Sequence, residues 1–225
     1  MRDIINSQTR IVPVTGALEV GRERFNELSE ALGEGSLSTM LVAKEHATLL
    51  YVDDLGLSHL ARNEEGIESV WTQTVLMLAR ERGVITTDEY HEALLKLMLA
   101  NYYYAIFTQE DMKWVLRRNN FGLTVEVTRM VGFLQGPECD EGAAISIISE
   151  LVRYVWLQSA LDQQRWLFLD FALNTLVTGR NSGAVLSKLK RKVQAKFALL
   201  PLDLPRILQS IDLWEQQTAS GLRAA

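Results

Sequence analysis

Thr48-Leu49-Leu50-Tyr51-Val52-Asp53-Asp54 is a short apolar, β-prone run that closes on two aspartates. Read as a strand over residues 48–52, it sets a pair of carboxylates at the carboxyl edge of a sheet. In open α/β folds that edge is where ligands bind. Two acids there suit a hard divalent cation, which takes oxygen ligands. Asp after a strand also serves a plainer purpose, accepting a backbone N–H as the N-cap of the next helix.

The surrounding sequence alternates the two periodicities. Upstream, Arg10-Ile11-Val12-Pro13-Val14 reads as a short extended segment, with Pro13 restricting the residue before it. A helix is predicted over 22–32, with Phe25, Leu28 and Leu32 on one face, and a second over 37–46, with Leu37, Met40, Leu41 and Lys44 at helical spacing. Downstream come a short helix over 57–62 and a second strand over 67–71. Thr72 is placed to cap the next helix, whose apolar positions include Val75, Leu76 and Ala79, and Gly83 to end it. Thr86-Thr87-Asp88-Glu89 has the form of a helix N-terminus, followed by Tyr90, Ala93, Leu94 and Leu97 at helical spacing. Tyr102-Tyr103-Tyr104-Ala105-Ile106 is aromatic and predicts an edge strand.

Strands alternating with helices imply parallel βα units. Beyond Gly122 the strand signals fade. Helices are predicted from Asp140 or Glu141 through Leu157 and over 165–177, 183–198 and 204–214, with Gly179, Asn181, Pro201 and Pro205 at the breaks. The expected organisation is an α/β domain over residues 1–121 and an all-helical extension over 122–225.

Composition bounds the function. The 225 residues suffice for one large or two small domains, and 48% hydrophobic with 23% charged residues is ordinary for a globular chain. A net charge of −5 disfavours general coating of nucleic acid but allows a local basic groove. The single Cys139 excludes an internal disulfide framework and a multi-cysteine zinc site, and it fits a reducing compartment. No apolar run reaches the roughly 18 residues of a membrane span, and the first residues lack a signal-peptide pattern. The expected location is cytoplasmic, with no membrane partner. Absence of a Walker glycine loop, a Gly-x-Ser-x-Gly elbow and a His-Glu-x-x-His pair removes support for those three chemistries.

Two further acids bear on Asp53-Asp54. Glu34, within Leu32-Gly33-Glu34-Gly35-Ser36, opens the helix leading into the strand, and Glu19 follows the segment 11–18. A helix start and a strand end can converge at one sheet edge. Helix-dipole stabilisation is the simpler role for Glu34. The order Gly33-Glu34-Gly35, then 43–54 ending in Asp53-Asp54, then Leu57-Ser58-His59-Leu60-Ala61-Arg62, Gly66-Ile67, Val70-Trp71-Thr72-Gln73 and Ala79-Arg80-Glu81-Arg82-Gly83-Val84-Ile85 resembles the PIN-domain nucleases. The resemblance covers residues 10–107, roughly, and is similar to the subgroup whose strand ends in Asp-Asp or Asp-Glu.

That resemblance implies a PIN-like three-layer α/β fold with a short, mostly parallel sheet, lacking its first strand. It implies a metal-dependent ribonuclease in which acids hold Mg²⁺ or Mn²⁺ and activate water against an RNA phosphodiester. By position, Glu19 matches the family's second acid, Glu34 the third, and Asp53 or Asp54 the fourth. Asp54 is preferred for its spacing to Leu57, and Asp53 then caps the short helix or reaches a second metal. The family's first acid falls before Met1. A truncated reading frame, a segment supplied by another chain, and a degenerate domain without catalysis each account for that. The last leaves a PIN-like scaffold that contacts a protein partner through its helical half. RNA, another protein or a second copy of the chain are the partners expected.

Lys188, Lys192 and Lys196 share one face of the predicted 183–198 helix, with Lys190 and Arg191 beside them, and Val185, Leu189, Val193 and Phe197 share another. Such a stripe can contact a phosphate backbone, although a solvated amphipathic face is the default. The tyrosine run offers base stacking, and Thr72-Gln73 a phosphate contact, with edge-strand packing and helix capping as the respective simpler roles. His46, His59 and His91 have no ligand spacing, and the five tryptophans read as core anchors.

Overall fold

The strand that closes on Asp53-Asp54 is only two residues long. In a computed structural model, which describes residues 12–15, 20–102, 105–158, 161–199 and 202–220, β1 (Leu50–Tyr51) pairs in parallel with β2 (Ser69–Val70). Leu50 lies opposite Ser69 and Tyr51 opposite Val70, with Leu50 N–H to Glu68 O and Val52 N–H to Val70 O each at 2.9 Å. No third strand joins them among the described residues. About 70% of the described residues are helical. The expected three-layer PIN-like α/β fold is therefore wrong, and the protein is predominantly helical.

Burial explains the correction. The central strand of a three-layer fold is covered on both faces and is apolar throughout. Here Leu50 is 1% exposed, whereas Leu49 and Tyr51 are 60% and 56% exposed. The run packs through Leu50 and, in part, Val52, two residues apart on the same side, and so has only one face to bury. Of the expected edge strand over 102–106, the described Tyr102, Ala105 and Ile106 carry no strand, and Tyr103 and Tyr104 lie outside the described residues.

The contacts divide the chain into Met1–Tyr90 and His91–Ala225, whereas the change in sequence character lies at Gly122. In the first unit, α1 (Arg22–Leu32) and α2 (Glu34–Glu45) meet at Gly33, which ends one and begins the other. α3 (Leu55–Glu65) connects β1 to β2, and α4 (Thr72–Glu81) follows β2. The small core of this unit gathers Leu37, Met40 and Leu41 of α2 with Leu50, Leu57, Ala61 and Ile67. Beyond α4, Gly83 adopts φ 68°, the left-handed conformation that lets the chain leave the helix without a side-chain clash. Thr86 and Glu89 then form the expected reciprocal cap at the start of α5 (Thr87–Leu99): Thr86 N–H and Oγ1–H donate to Glu89, and Glu89 N–H donates to Thr86 Oγ1.

The second unit is built on α8 (Glu141–Gln158), which packs against α6 (Gln109–Arg118), α9 (Asp162–Val177) and α10 (Ser182–Lys196); α7 (Val125–Gly132) packs on α6, and α11 (Leu204–Ala219) on α10. Buried Ala144, Ile145, Ile148, Ser149, Val152 and Val155 form one broad apolar face along α8, the stripe a helix turns to its core. On α10 the expected apolar face, Val185, Leu189 and Val193 with Phe197 just beyond, is wholly buried. α6 and α7 contribute Met112, Val115, Leu116, Val127, Met130 and Val131 to this core, which is why 91–121 belongs with the helical half. No helix among the described residues is long and apolar enough to cross a membrane.

Charge crosses this unit at Glu150 of α8. Its carboxylate accepts from Lys196 Nζ of α10 at 2.7 Å and lies 3.4 Å from Lys113 Nζ of α6. Burial pushes the carboxyl up, but the bond and charge of Lys196 and then of Lys113 outweigh it and hold the group below its ordinary range. A carboxyl with a depressed folded pKa contributes stability above its unfolded pKa and loses it as pH falls through the folded one. The stability gap between wild type and Glu150→Gln should therefore be present at neutral pH and close below about pH 4. Urea unfolding across that range checks it, and a gap independent of pH would remove the ionic account.

Candidate functional site

The two aspartates of the strand end are both engaged, each at a different helix. Asp54 is the N-cap of α3: its Oδ1 accepts Leu57 N–H at 2.9 Å, and its carbonyl accepts Ser58 N–H. Asp53 serves α4 from across the sheet. Its Oδ1 accepts Thr72 N–H at 2.8 Å and its Oδ2 accepts Thr72 Oγ1–H at 2.6 Å. Thr72 Oγ1 in turn lies 2.5 Å from Tyr51 Oη, so the tyrosine donates to the threonine. Trp71, at the N-cap position of α4, makes no side-chain capping bond, and the strand 19 residues upstream supplies the acceptor. Thr72, expected as the cap, is the first residue of the helix and the capped group. The expected assignment is also reversed, because Asp54 rather than Asp53 caps the short helix.

Glu34 is the first residue of α2 and is exposed, where its charge complements the helix dipole. Glu19 lies outside the described residues. Among the described residues no three His, Cys, Asp or Glu side chains come together in an arrangement able to hold a metal ion. His46 terminates α2 and His59 is exposed on α3.

These roles carry an expected result. Asp54→Ala and Asp53→Ala should each cost about 0.5–2 kcal/mol, the usual loss for an N-cap, with Asp53 the larger because both oxygens are used. Asp54→Asn should cost little, since Asn caps as well as Asp. Thermal unfolding of the three variants checks this, and an Asn variant as unstable as the Ala variant would show that charge, not capping, is what Asp54 supplies.

Three arrangements were not legible. The first is a buried pair in the second unit: His91 Nδ1 lies 2.9 Å from Asp111 Oδ1, with the His91 ring stacked on Trp114 at 5.2 Å between centroids. Thr108-Gln109-Glu110-Asp111 is a Thr-x-x-Asp helix start, the one local signal available. The second is a groove of about 670 Å³ between α9 and α11, lined by Trp166, Leu167, Leu173, Leu213 and Trp214 among others. Leu167 and Leu213 are 50% and 48% exposed.

The third lies within the basic stretch. Lys188 Nζ donates to Glu141 at 2.6 Å, Lys196 to Glu150, and Lys190 to Asp212 and Glu215 at 2.6 and 2.8 Å. Burial lowers the Lys190 ammonium, and the two carboxylates more than reverse this, holding it above its ordinary value. The three-lysine stripe expected to face phosphates is thus divided, with Lys188 and Lys196 tied to α8 and Lys192 bearing no ion pair among the described residues.

No family model, curated protein or solved structure matches the chain.

Proposed function

We propose that the protein is a non-catalytic interaction module whose helical unit takes a partner's amphipathic helix between α9 and α11. The groove itself carries the reading. α9 and α11 both pack on α10 and leave between them a trough with tryptophans in its walls and exposed leucines on its rims. An added helix presenting apolar residues at i, i+3, i+4 and i+7 would bury those leucines, which is the helix-in-groove mode of recognition. Polar Gln163, Asp170, Ser210 and Gln217 sit among the lining residues, as suits an interface with a wet edge. The use of Asp53 and Asp54 as helix caps favours this reading over the Mg²⁺- or Mn²⁺-dependent ribonuclease.

The test uses a labelled amphipathic Leu-rich helical peptide as probe. Saturable binding with a change in tryptophan fluorescence is expected, weakened roughly 30-fold in Leu167→Asp/Leu213→Asp, the effect of losing a hot-spot contact. Both positions are exposed, so the variant should melt as the wild type does. Absence of binding, or equal binding by the variant, overturns the proposal. Self-association of the wild type abolished by the same substitutions assigns the groove to a second copy and overturns the heterologous partner. Mn²⁺-dependent RNA cleavage lost in Asp54→Asn/Glu34→Gln overturns the non-catalytic reading.

A further inference from the structure

Arg191 and Lys192 of α10 stand side by side with no carboxylate partner among the described residues, in a stretch where Lys188, Lys190 and Lys196 are each paired. Both line one cavity of about 310 Å³, together with Lys188, Gly142 and Ile145. Lys188, Arg191 and Lys192 are spaced i, i+3, i+4, so their charges fall on one face and repel, weakening the helix that carries them. The nearby acids Glu141 and Asp140 are already engaged. Glu141 is bound to Lys188, and Asp140 Oδ1 accepts Ala143 N–H at 2.7 Å at the start of α8. The cavity thus keeps two uncompensated positive charges in a chain whose net charge is −5.

We infer that this cavity binds a phosphate group. A phosphate presents three oxygens to the Arg191 fork and the Lys192 ammonium, the geometry that makes charge-assisted bonds strong. Ile145 and the aliphatic stems of the basic residues offer an apolar wall to whatever carries the phosphate. Gly142 adds no side chain to the cavity, and its place in the first turn of α8 puts the positive end of that helix's dipole on the same side. The site does not depend on the groove between α9 and α11, and the two readings stand or fall apart.

Calorimetric titration of the full chain with inorganic phosphate and with phenyl phosphate tests the inference. Saturable binding of at least one probe is expected, reduced tenfold or more in Arg191→Ala/Lys192→Ala and unchanged in Arg206→Ala, a surface cation on α11. Both substituted side chains are exposed, and an unchanged melting curve confirms that the variant folds. Tighter binding of phenyl phosphate assigns the site to a small phosphorylated molecule; equal affinity assigns it to free phosphate. Failure of both probes to bind overturns the inference, as does binding that survives the double substitution. Salt-sensitive binding of a single-stranded oligonucleotide, with no binding of either probe, also overturns it and points to nucleic acid.

Discussion

Asp111→Ala should lower the stability of the helical unit by about 2–4 kcal/mol, the sum of a lost cap and a lost buried partner. Asp111 is 4% exposed, and its carboxylate accepts hydrogen bonds from Thr108 and His91. Oδ2 accepts both Thr108 N–H and Thr108 Oγ1–H at 2.7 Å, while Asp111 N–H donates back to Thr108 Oγ1 at 3.3 Å. This closes the N-terminus of α6 reciprocally. Oδ1 accepts from His91 Nδ1, which fixes the imidazole tautomer with its proton on Nδ1. His91 is 9% exposed, so removal of the carboxylate takes a hydrogen-bond acceptor from its buried ring as well as freeing two donors of the cap. Asp111→Asn should cost less, because its amide oxygen still accepts from Thr108 and its NH₂ can donate to His91 in the other tautomer. Native-state hydrogen exchange of α5 and α6 amides measures both. An alanine variant within about 0.5 kcal/mol of wild type, the range of an ordinary surface substitution, would show the pair to be dispensable.

The helices were legible because their signals are local and repeated. Residues 22–32 become α1 with the same bounds, a helix starts at Thr86-Thr87-Asp88-Glu89 where its sequence predicts one, and the 183–198 helix buries its predicted apolar face. The sheet was not legible because strand formation depends on partners that a short apolar run does not name. Thr48–Val52 and 102–106 both have β character, yet the first finds a single partner strand, while the described residues of the second, Tyr102, Ala105 and Ile106, carry no strand. The site failed for a related reason. Asp54 capping Leu57 is a three-residue relation and was open to view as the plainer role. Asp53 capping Thr72 spans 19 residues and exists only once β1 and β2 are side by side. A motif built from acids at strand ends cannot separate metal ligands from caps, since both need a carboxylate at the same place. The basic stripe was likewise read from helical spacing alone, while the carboxylates that neutralise most of it sit on α8 and α11.

Arg180→Ala should cost about 2–3 kcal/mol through the loss of charge-assisted bonds to three carbonyls. Arg180 follows α9, and its guanidinium reaches three separate stretches of chain. Nη1 donates to Leu134 O at 3.0 Å and to Leu176 O at 3.1 Å, and Nη2 donates to Cys139 O at 2.9 Å. Leu176 O belongs to the last turn of α9, whose carbonyls have no partner within the helix, and a cation there also meets the negative end of the dipole. Leu134 and Cys139 flank the 135–138 connection between α7 and α8, so one side chain ties that connection to the end of α9. The preceding residue fixes the approach. Gly179 adopts φ 72°, and a Cβ there would come within 3.2 Å of Pro137 Cδ, so Gly179→Ala is strained by conformation and by contact. Arg180→Lys separates the contributions. An ammonium keeps the charge at the helix end, but a compact point charge replaces the planar fork that spans Leu134, Leu176 and Cys139. If the fork is what matters, Lys should recover less than half of the loss, read by urea unfolding and by faster amide exchange at the start of α8. Full recovery by Lys would reduce the role of Arg180 to dipole compensation and leave the 135–138 connection held by Pro137 and Gly179 packing alone.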